Sequence, residues 1–482
     1  MKKIYLLYPQ KKGRIAPELY GHFTEHLGGV FYDGLWVGKD SSIPNIKGFR
    51  KEIIEKLRAI KAPVIRWPGG CFAETYDWRD GIGEHRPTRP NWWTKTTSGM
   101  SPASGNHEFM DFCEAVGADA YFAANLTSVS PLHIRNWMDY CLSPRGTTSL
   151  ALEREQNGHP EPFTIPYWGV GNENWGGGGN MTPEYYAGEF RRFSALMANA
   201  FPSVQLFACG EDANDFHWTN KLMEGTVDSE HHMNGYAMHY YCGQAGDPLT
   251  FSKDEWTCLL KQAAHIEDII VRNWHIICGY SMQNCGKLVI DEWGCWHSDG
   301  SGPSHGYNLF EQQSTMRDAM VAALTLNIFN NHCDKIRMAN VAQLVNCLHS
   351  LFLAGGEHCI ETPTYHVFDM YKEHQGAEAI EATVTDNDDF ASSISVSASV
   401  KDEKTLLTVG NLSCTGDVEF CWKAWARQYR QRLRRPCCMP RTCMPIIPLK
   451  RLRPSLPQRS ISILRGRLLS PRRPYWQFGS DR

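Results

Sequence analysis

The chain has 482 residues, 42% apolar and 12% aromatic, enough to bury a large core and to divide into one big domain and a smaller one. No apolar run approaches the roughly 20 residues that cross a bilayer, and the opening "MKKIYLLYPQKKGR" has an apolar core shorter than the ~7 to 15 residues of an export signal, so no membrane partner and a cytoplasmic location are expected. The formal charge of −3 hides an asymmetry: Cys421 to Arg482 holds 14 Arg and 2 Lys against Asp481 alone, leaving −18 on the first 420 residues, a body that repels nucleic acid.

Short apolar runs alternate with amphipathic segments, the pattern of repeated βα units. Eight candidate strands follow in chain order: "APELYGHF" (16–23), "PVIRWP" (63–68), "AYFAANL" (120–126), "PYWGVGNE" (166–173), "VQLFACG" (204–210), "NGYAMHYY" (234–241), "KLVIDEW" (287–293) and "IRMANVAQ" (336–343). Helices are expected between them. Phe49, Ile53, Ile54, Leu57 and Ile60 recur at helical spacing, and Thr182 with Pro183 supplies an N-cap and first-turn proline for a helix bearing Tyr186, Phe190 and Phe193. Eight such units imply an α/β fold, a (β/α)8 TIM barrel over residues 1–375, whose minimal version needs ~250 residues.

Residues 376–420 change texture. "SSISVSASV" and "TLLTVGNLS" alternate as strands do and read as the start of a β-sandwich domain. From 421 to 482 eight prolines and repeated Arg clusters carry no hydrophobic period, so this basic tail is expected not to continue the sandwich and reads as a truncated or frame-shifted end. The 17 cysteines contain no C-x-x-C pair and read as reduced, buried thiols, so neither a metal nor another cofactor is expected.

In a barrel of this kind the C-terminal strand ends face the site. Those ends offer Glu25 with His22, Arg66 and Cys71, Asn172 and Glu173, His239 and Tyr241, Glu292, and Gln343. Glu173 and Glu292, after strands four and seven, can converge across the mouth, and glycoside hydrolysis needs such a pair: one carboxyl protonated for the leaving oxygen, one ionised for the anomeric carbon. A single strand-end carboxylate serves as well in an ion pair or a helix cap; two in matching positions favour chemistry. Trp36, Trp67, Trp92, Trp93, Trp175, Trp293 and Trp296 fall in or near the predicted loops, where sugar rings stack, although core packing is the ordinary fate of a tryptophan and is expected for Trp67.

The motifs "YGHFTEHLGG", "RWPGGCFAETYDWRDGIG", "GVGNENWGGGGNMTPEYYA", "MHYY", "VIDEWG" and "MANVAQLVN" resemble, in order and over about residues 14–375, glycoside hydrolase family 51, the retaining α-L-arabinofuranosidases. The resemblance implies a barrel with a C-terminal β-sandwich and release of terminal non-reducing α-L-arabinofuranosyl residues from arabinan, arabinoxylan or their oligosaccharides by double displacement. It makes Glu173 the acid/base and Glu292 the nucleophile, puts Glu25, Cys71, Asn172, Tyr241 and Gln343 at the sugar, and suggests a homohexamer. Arg66 and Tyr241 are expected to keep Glu292 ionised, with Arg66, His239 and Trp92 as supporting residues. A related β-xylosidase or endo-glucanase, and, in another class, an inactive sugar-binding protein, are the alternatives; nucleic-acid binding through the basic tail is a third.

Overall fold

Apolar alternation and turn residues place eight short parallel strands around a ring. The computed structural model describes residues 1–87, 104–212, 215–243, 245–280, 286–297, 310–425 and the strand Ile461–Arg467. The chain begins with β1 (Lys2–Arg14). The ring then runs β2 (Gly21–Phe23), β3 (Val64–Trp67), β4 (Asp119–Ala124), β5 (Tyr167–Val170), β6 (Gln205–Asp212), β7 (Gly235–Cys242), β8 (Lys287–Cys295) and β9 (Ile336–Ala342), closed by pairing of β9 with β2. Each of the eight expected runs overlaps one of these strands. The first is shortened, because Pro17 to Tyr20 form a 3-10 turn before β2.

Seven strands each send one apolar side chain inward: Val64, Tyr121, Tyr167, Phe207, Ala237, Val289 and Met338 form a plug inside the barrel. Strand side chains repeat every second residue, so Arg66, two after Val64, points the same way one layer higher, while Ile65 and Trp67 pack outward under the helices. The helix Pro183–Ala200 begins as the sequence implies. The Thr182 side chain accepts a hydrogen bond from Tyr185 N, Pro183 opens the first turn, and Tyr186, Phe190 and Phe193 are buried.

The second domain departs from the expected boundaries. β1 belongs to it, not to the barrel: Lys3 to Leu7 pair antiparallel with β10 (Glu378–Thr385). The sheet continues through β11 (Ile394–Lys401) and β12 (Lys404–Asn411), in the order β13-β1-β10-β11-β12-β14, where β13 is Phe420–Trp425 and β14 is Ile461–Arg467. Ile4 and Leu6 of β1 pack with Ile380, Val396 and Val409, which is why the opening run joins this sheet. The start of the basic tail also departs from expectation, since Cys421 to Trp425 pair in parallel with Lys3 to Leu7.

The serine face of β11 is buried rather than wet. Asn327, on the helix Met316–Asn331, accepts from Ser397 Oγ and Thr408 Oγ1 at 2.8 Å each and donates to Ser395 Oγ at 3.1 Å, while Asn330 donates to Ser397 Oγ at 3.1 Å. His374 bridges Ser399 and Thr408. A polar seam thus fixes the sheet to the barrel. Asn327→Ala leaves buried hydroxyls without their acceptor, a cost of about 1–3 kcal/mol for each group stranded, so the variant should melt several degrees lower in calorimetry. An unchanged melting temperature would mean the seam contributes nothing.

Candidate active site

The site is built around one buried cation. Arg66, at the second inward layer of β3, is fully buried. Its Nη1 donates to Glu292 Oε1 at 2.7 Å, its Nη2 donates to Asn172 Oδ1 at 2.5 Å, and its Nε lies 3.3 Å from Asp291 Oδ2. The Phe23 ring lies against the guanidinium, 4.6 Å from centroid to carbon. Asp291 also accepts from Tyr121 Oη at 2.8 Å and Asn340 Nδ2 at 3.2 Å. Consecutive strand residues ordinarily face opposite ways. Here the register of β8 against β7 shifts between Ile290 and Glu292, a bulge that lets Asp291 and Glu292 both reach the interior.

Glu292 is held on both oxygens, since Tyr241 Oη donates to Oε2 at 2.7 Å. Burial by itself would raise its carboxyl, but His239, Arg66 and the Tyr241 hydroxyl outweigh burial and hold it below the ordinary carboxylate range. Glu173 is held differently. His239 Nδ1 lies 2.8 Å from Oε1, and the Cys71 thiol donates to Oε2 at 3.3 Å. One oxygen of each carboxylate and a nitrogen of His239 lie within 4.8 Å of one another. For His239, burial favours the neutral ring, but Glu292 and Glu173 outweigh it and raise the imidazole above its usual value. The Glu173 side chain keeps 20% of its surface exposed against 8% for Glu292, so Glu173 is the more open of the two.

The asparagines and glycines around Glu173 have a geometric reason. Glu173 sits in the left-handed region, φ 44°, where Gly176 N and Gly178 N donate to its carbonyl at 2.8 and 3.0 Å. A Cβ on Gly178 would stand 1.7 Å from the Asn172 carbonyl oxygen, and one on Gly70 would stand 2.9 Å from Glu292 Oε1. Glu25 accepts from Gly70 N, Phe72 N and Gln343 Nε2 at 3.1, 3.2 and 3.0 Å. Burial, followed by the charge of Glu292, pushes its carboxyl up to about 7.

Comparisons with known proteins agree with this geometry. Residues 56–247 match the family description "Alpha-L-arabinofuranosidase 1 domain" and residues 291–428 match "Alpha-L-arabinofuranosidase C-terminal domain". The intracellular exo-alpha-L-arabinofuranosidase of Bacteroides ovatus is 40% identical over 386 residues, 78% of this chain and 73% of that protein. The crystal structure of the GH51 arabinofuranosidase from Xanthomonas axonopodis pv. citri superposes with a TM-score of 0.83 at 36% identity, covering 89% of this chain and 88% of that one. The chain belongs to glycoside hydrolase family 51. The family 51 fold extends to the alpha-L-arabinofuranosidase of Thermotoga maritima, solved as an arabinose complex, at a TM-score of 0.78 and 25% identity over 88% of each chain.

In this family 51 chain Glu25, Arg66, Cys71, Asn172, Glu173, His239, Tyr241, Glu292 and Gln343 converge on the barrel mouth; Trp92 and Trp93 lie outside the described residues. His22 does not join them. It is buried against Phe368, ring centroids 5.1 Å apart, and burial pushes its imidazole down to about 3. Trp36, Trp67 and Trp293 are core residues, whereas Trp296 stands edge-on to Tyr241 at 5.1 Å. Two groups of described residues have metal-ligand spacing: Glu173, His239 and Glu292, and a buried set of Cys295, His297 and Asp318.

Sequence reasoning missed Glu74. This buried carboxylate accepts from Asn172 N at 2.6 Å, Asn174 Nδ2 at 2.9 Å, and Leu126 N and Thr127 N at 2.8 Å each, so it ties the loops after β3, β4 and β5 together beside Glu173. The available signal was an acid inside an otherwise apolar turn, "CFAETY". Glu74→Gln turns one acceptor into a donor facing N–H groups, and should lower kcat by about a hundredfold with a smaller effect on KM, as expected when a catalytic group is displaced by about 1 Å. Steady-state kinetics reads this; an unchanged kcat would show that the loops hold Glu173 without it.

Glu211, near the end of β6, supplies a pH test. Burial pushes its carboxyl up to about 7 from 4.5, although Asn273 donates to it. The native state therefore keeps a proton that the unfolded chain has released. That contribution is intact below the unfolded value and is lost as pH rises through about 7. Glu211→Gln should melt above the parent near about pH 8 and the difference should close near about pH 5.

Proposed function

We propose that the protein is a retaining exo-α-L-arabinofuranosidase that removes terminal non-reducing α-L-arabinofuranosyl residues from arabinan, arabinoxylan or their oligosaccharides. The observation that carries this reading is the unequal wiring of two neighbouring carboxylates. Glu292, gripped by Arg66 and Tyr241, is the ionised nucleophile; Glu173, more exposed and touched by His239 and Cys71, is the acid/base. One oxygen of Glu173 and one of Glu292 within 4.8 Å of each other fit the ~5 to 5.5 Å carboxyl separation of retaining sites and leave no place for water between them.

In the first displacement Glu292 attacks the anomeric carbon, the glycosidic bond breaks, and Glu173 gives its proton to the leaving oxygen. Asn172, oriented by Arg66, hydrogen-bonds the sugar as positive charge grows on the ring, and Glu25 with Gln343 takes further hydroxyls. Esterification removes the charge of Glu292 next to Glu173. Glu173 then takes a proton from water, which attacks the anomeric carbon and releases sugar with its configuration kept. A cytoplasmic location belongs to the same proposal, supported by the name of the Bacteroides ovatus relative.

Glu292→Gln should abolish turnover with the fold intact, and NMR of the parent reaction should show retained configuration. Glu173→Ala should lose about 10² to 10⁴ in rate on a poor leaving group, but on a dinitrophenyl glycoside it should give a burst, then slow turnover that azide restores as glycosyl azide. Equal losses on both substrates, with no azide effect, would make Glu173 a binding or structural residue.

A further inference from the structure

The proposed reaction uses Glu173, His239 and Glu292, and the thiol of Cys71, which the family resemblance puts at the sugar, stands in the same cluster. Cys71 Sγ lies 3.3 Å from Glu173 Oε2, His239 Nδ1 lies 2.8 Å from Glu173 Oε1, and the same nitrogen lies 3.6 Å from Glu292 Oε2. A tetrahedral zinc-like ion with bonds near 2.0 to 2.3 Å sets its ligand atoms about 3.2 to 3.8 Å apart. Glu173, His239 and Glu292 already bring one ligand atom each within 4.8 Å of one another, and Cys71 borders that cluster through the other oxygen of Glu173. A sulfur, an imidazole nitrogen and carboxylate oxygens form a donor set that suits Zn²⁺ or Cd²⁺ and discriminates against Mg²⁺ and Ca²⁺, which take oxygen ligands.

We propose that the sugar-free site binds a thiophilic divalent cation, Zn²⁺ or Cd²⁺, through Cys71, Glu173, His239 and Glu292, and that this cation and the arabinofuranosyl ring exclude each other. Burial, then the charges of Glu173, Glu25 and Glu292, raise the Cys71 thiol above its usual range, so a metal has to displace its proton. The same negative field draws a dication. Binding breaks the S–H bond of Cys71 and the N–H bond of His239, forms sulfur–metal and nitrogen–metal bonds, and releases both protons to solvent; no oxidant or reductant takes part. Arg66 stays paired with Asp291 and the other oxygen of Glu292.

The regulation of the site rests on the proposed function, but the metal site does not, and the experiment separates the two. Full-length protein in chelator-free buffer is titrated with Cd²⁺ while the ultraviolet thiolate-to-cadmium charge-transfer band is followed, with and without L-arabinose. Part of the band is expected to disappear with arabinose and in Cys71→Ser. Zn²⁺ is expected to inhibit hydrolysis competitively and reversibly by EDTA, with an inhibition constant at least about tenfold weaker in Cys71→Ser relative to that variant's own rate. Mg²⁺ and Ca²⁺ should do neither. A cadmium band indifferent to both arabinose and Cys71→Ser, or zinc inhibition that is noncompetitive and equal in both proteins, overturns the proposal. If Cys71→Ser does not fold, the parent alone decides: a band that arabinose leaves unchanged overturns it. A chain without hydrolytic activity would still show the band and its loss in the variant, so failure of the function and failure of the metal site read differently.

Discussion

The arrangement depends on where a single buried positive charge is spent. Arg66 is fully buried and surrounded by Asp291, Glu292 and the Asn172 amide, with Glu25 nearby. A buried guanidinium is tolerated only when its donors are matched, and removing one partner of such a pair typically costs about 3–5 kcal/mol. Its fork allots one arm to Glu292 and one to Asn172 and gives Glu173 nothing. Two glutamates of the same chemistry are thereby made unequal: one meets a cation and a phenol, the other an imidazole and a thiol. In the proposed mechanism, acid and nucleophile are told apart by who touches them.

That allotment requires three distant segments to arrive in register. Period two along β3 lifts Arg66 one layer above the apolar plug, so the charge sits under the mouth rather than in the core. The bulge in β8 turns Asp291 and Glu292 to the same side, so that Asp291 meets the guanidinium's Nε while Glu292 takes Nη1 and the Tyr241 hydroxyl. Glu74 and the folded-back glycine turn hold Glu173 in a left-handed conformation that an unsupported glutamate would leave. The scaffold therefore keeps one carboxylate by charge and the other by backbone geometry.

What the amino-acid order made legible follows from how local each signal is. The barrel strands could be read because every one is a short apolar run between turn residues, and the two glutamates because strand ends in such a barrel face one mouth. His22 was misplaced since β2 is only three residues long, too short for alternation to show that its imidazole faces Phe368. β1 was assigned to the barrel because its partner, Glu378–Thr385, lies at the far end of the chain, and no local pattern reports a pairing that distant. Glu74 escaped for a different reason: it works by accepting backbone N–H groups, which every residue except proline carries and which leave no compositional trace. The serines of β11 gave no sign of the asparagines that cover them, which stand about seventy residues away.

The residual charge of the site points the same way as its geometry. Asp291, Glu25, Glu173 and Glu292 outnumber Arg66, so the pocket can stay stable only by retaining protons, and both the raised carboxyl of Glu25 and the raised imidazole of His239 are ways of doing so. A neutral sugar gains little from such a field in its ground state. As the glycosidic bond stretches, positive charge spreads over the anomeric carbon and ring oxygen, and a fixed negative environment in a low-dielectric pocket acts on that charge most strongly at the transition state. The carboxylate excess that is costly to the folded protein is thus of use at the one moment when the proposed reaction brings a cation into the pocket.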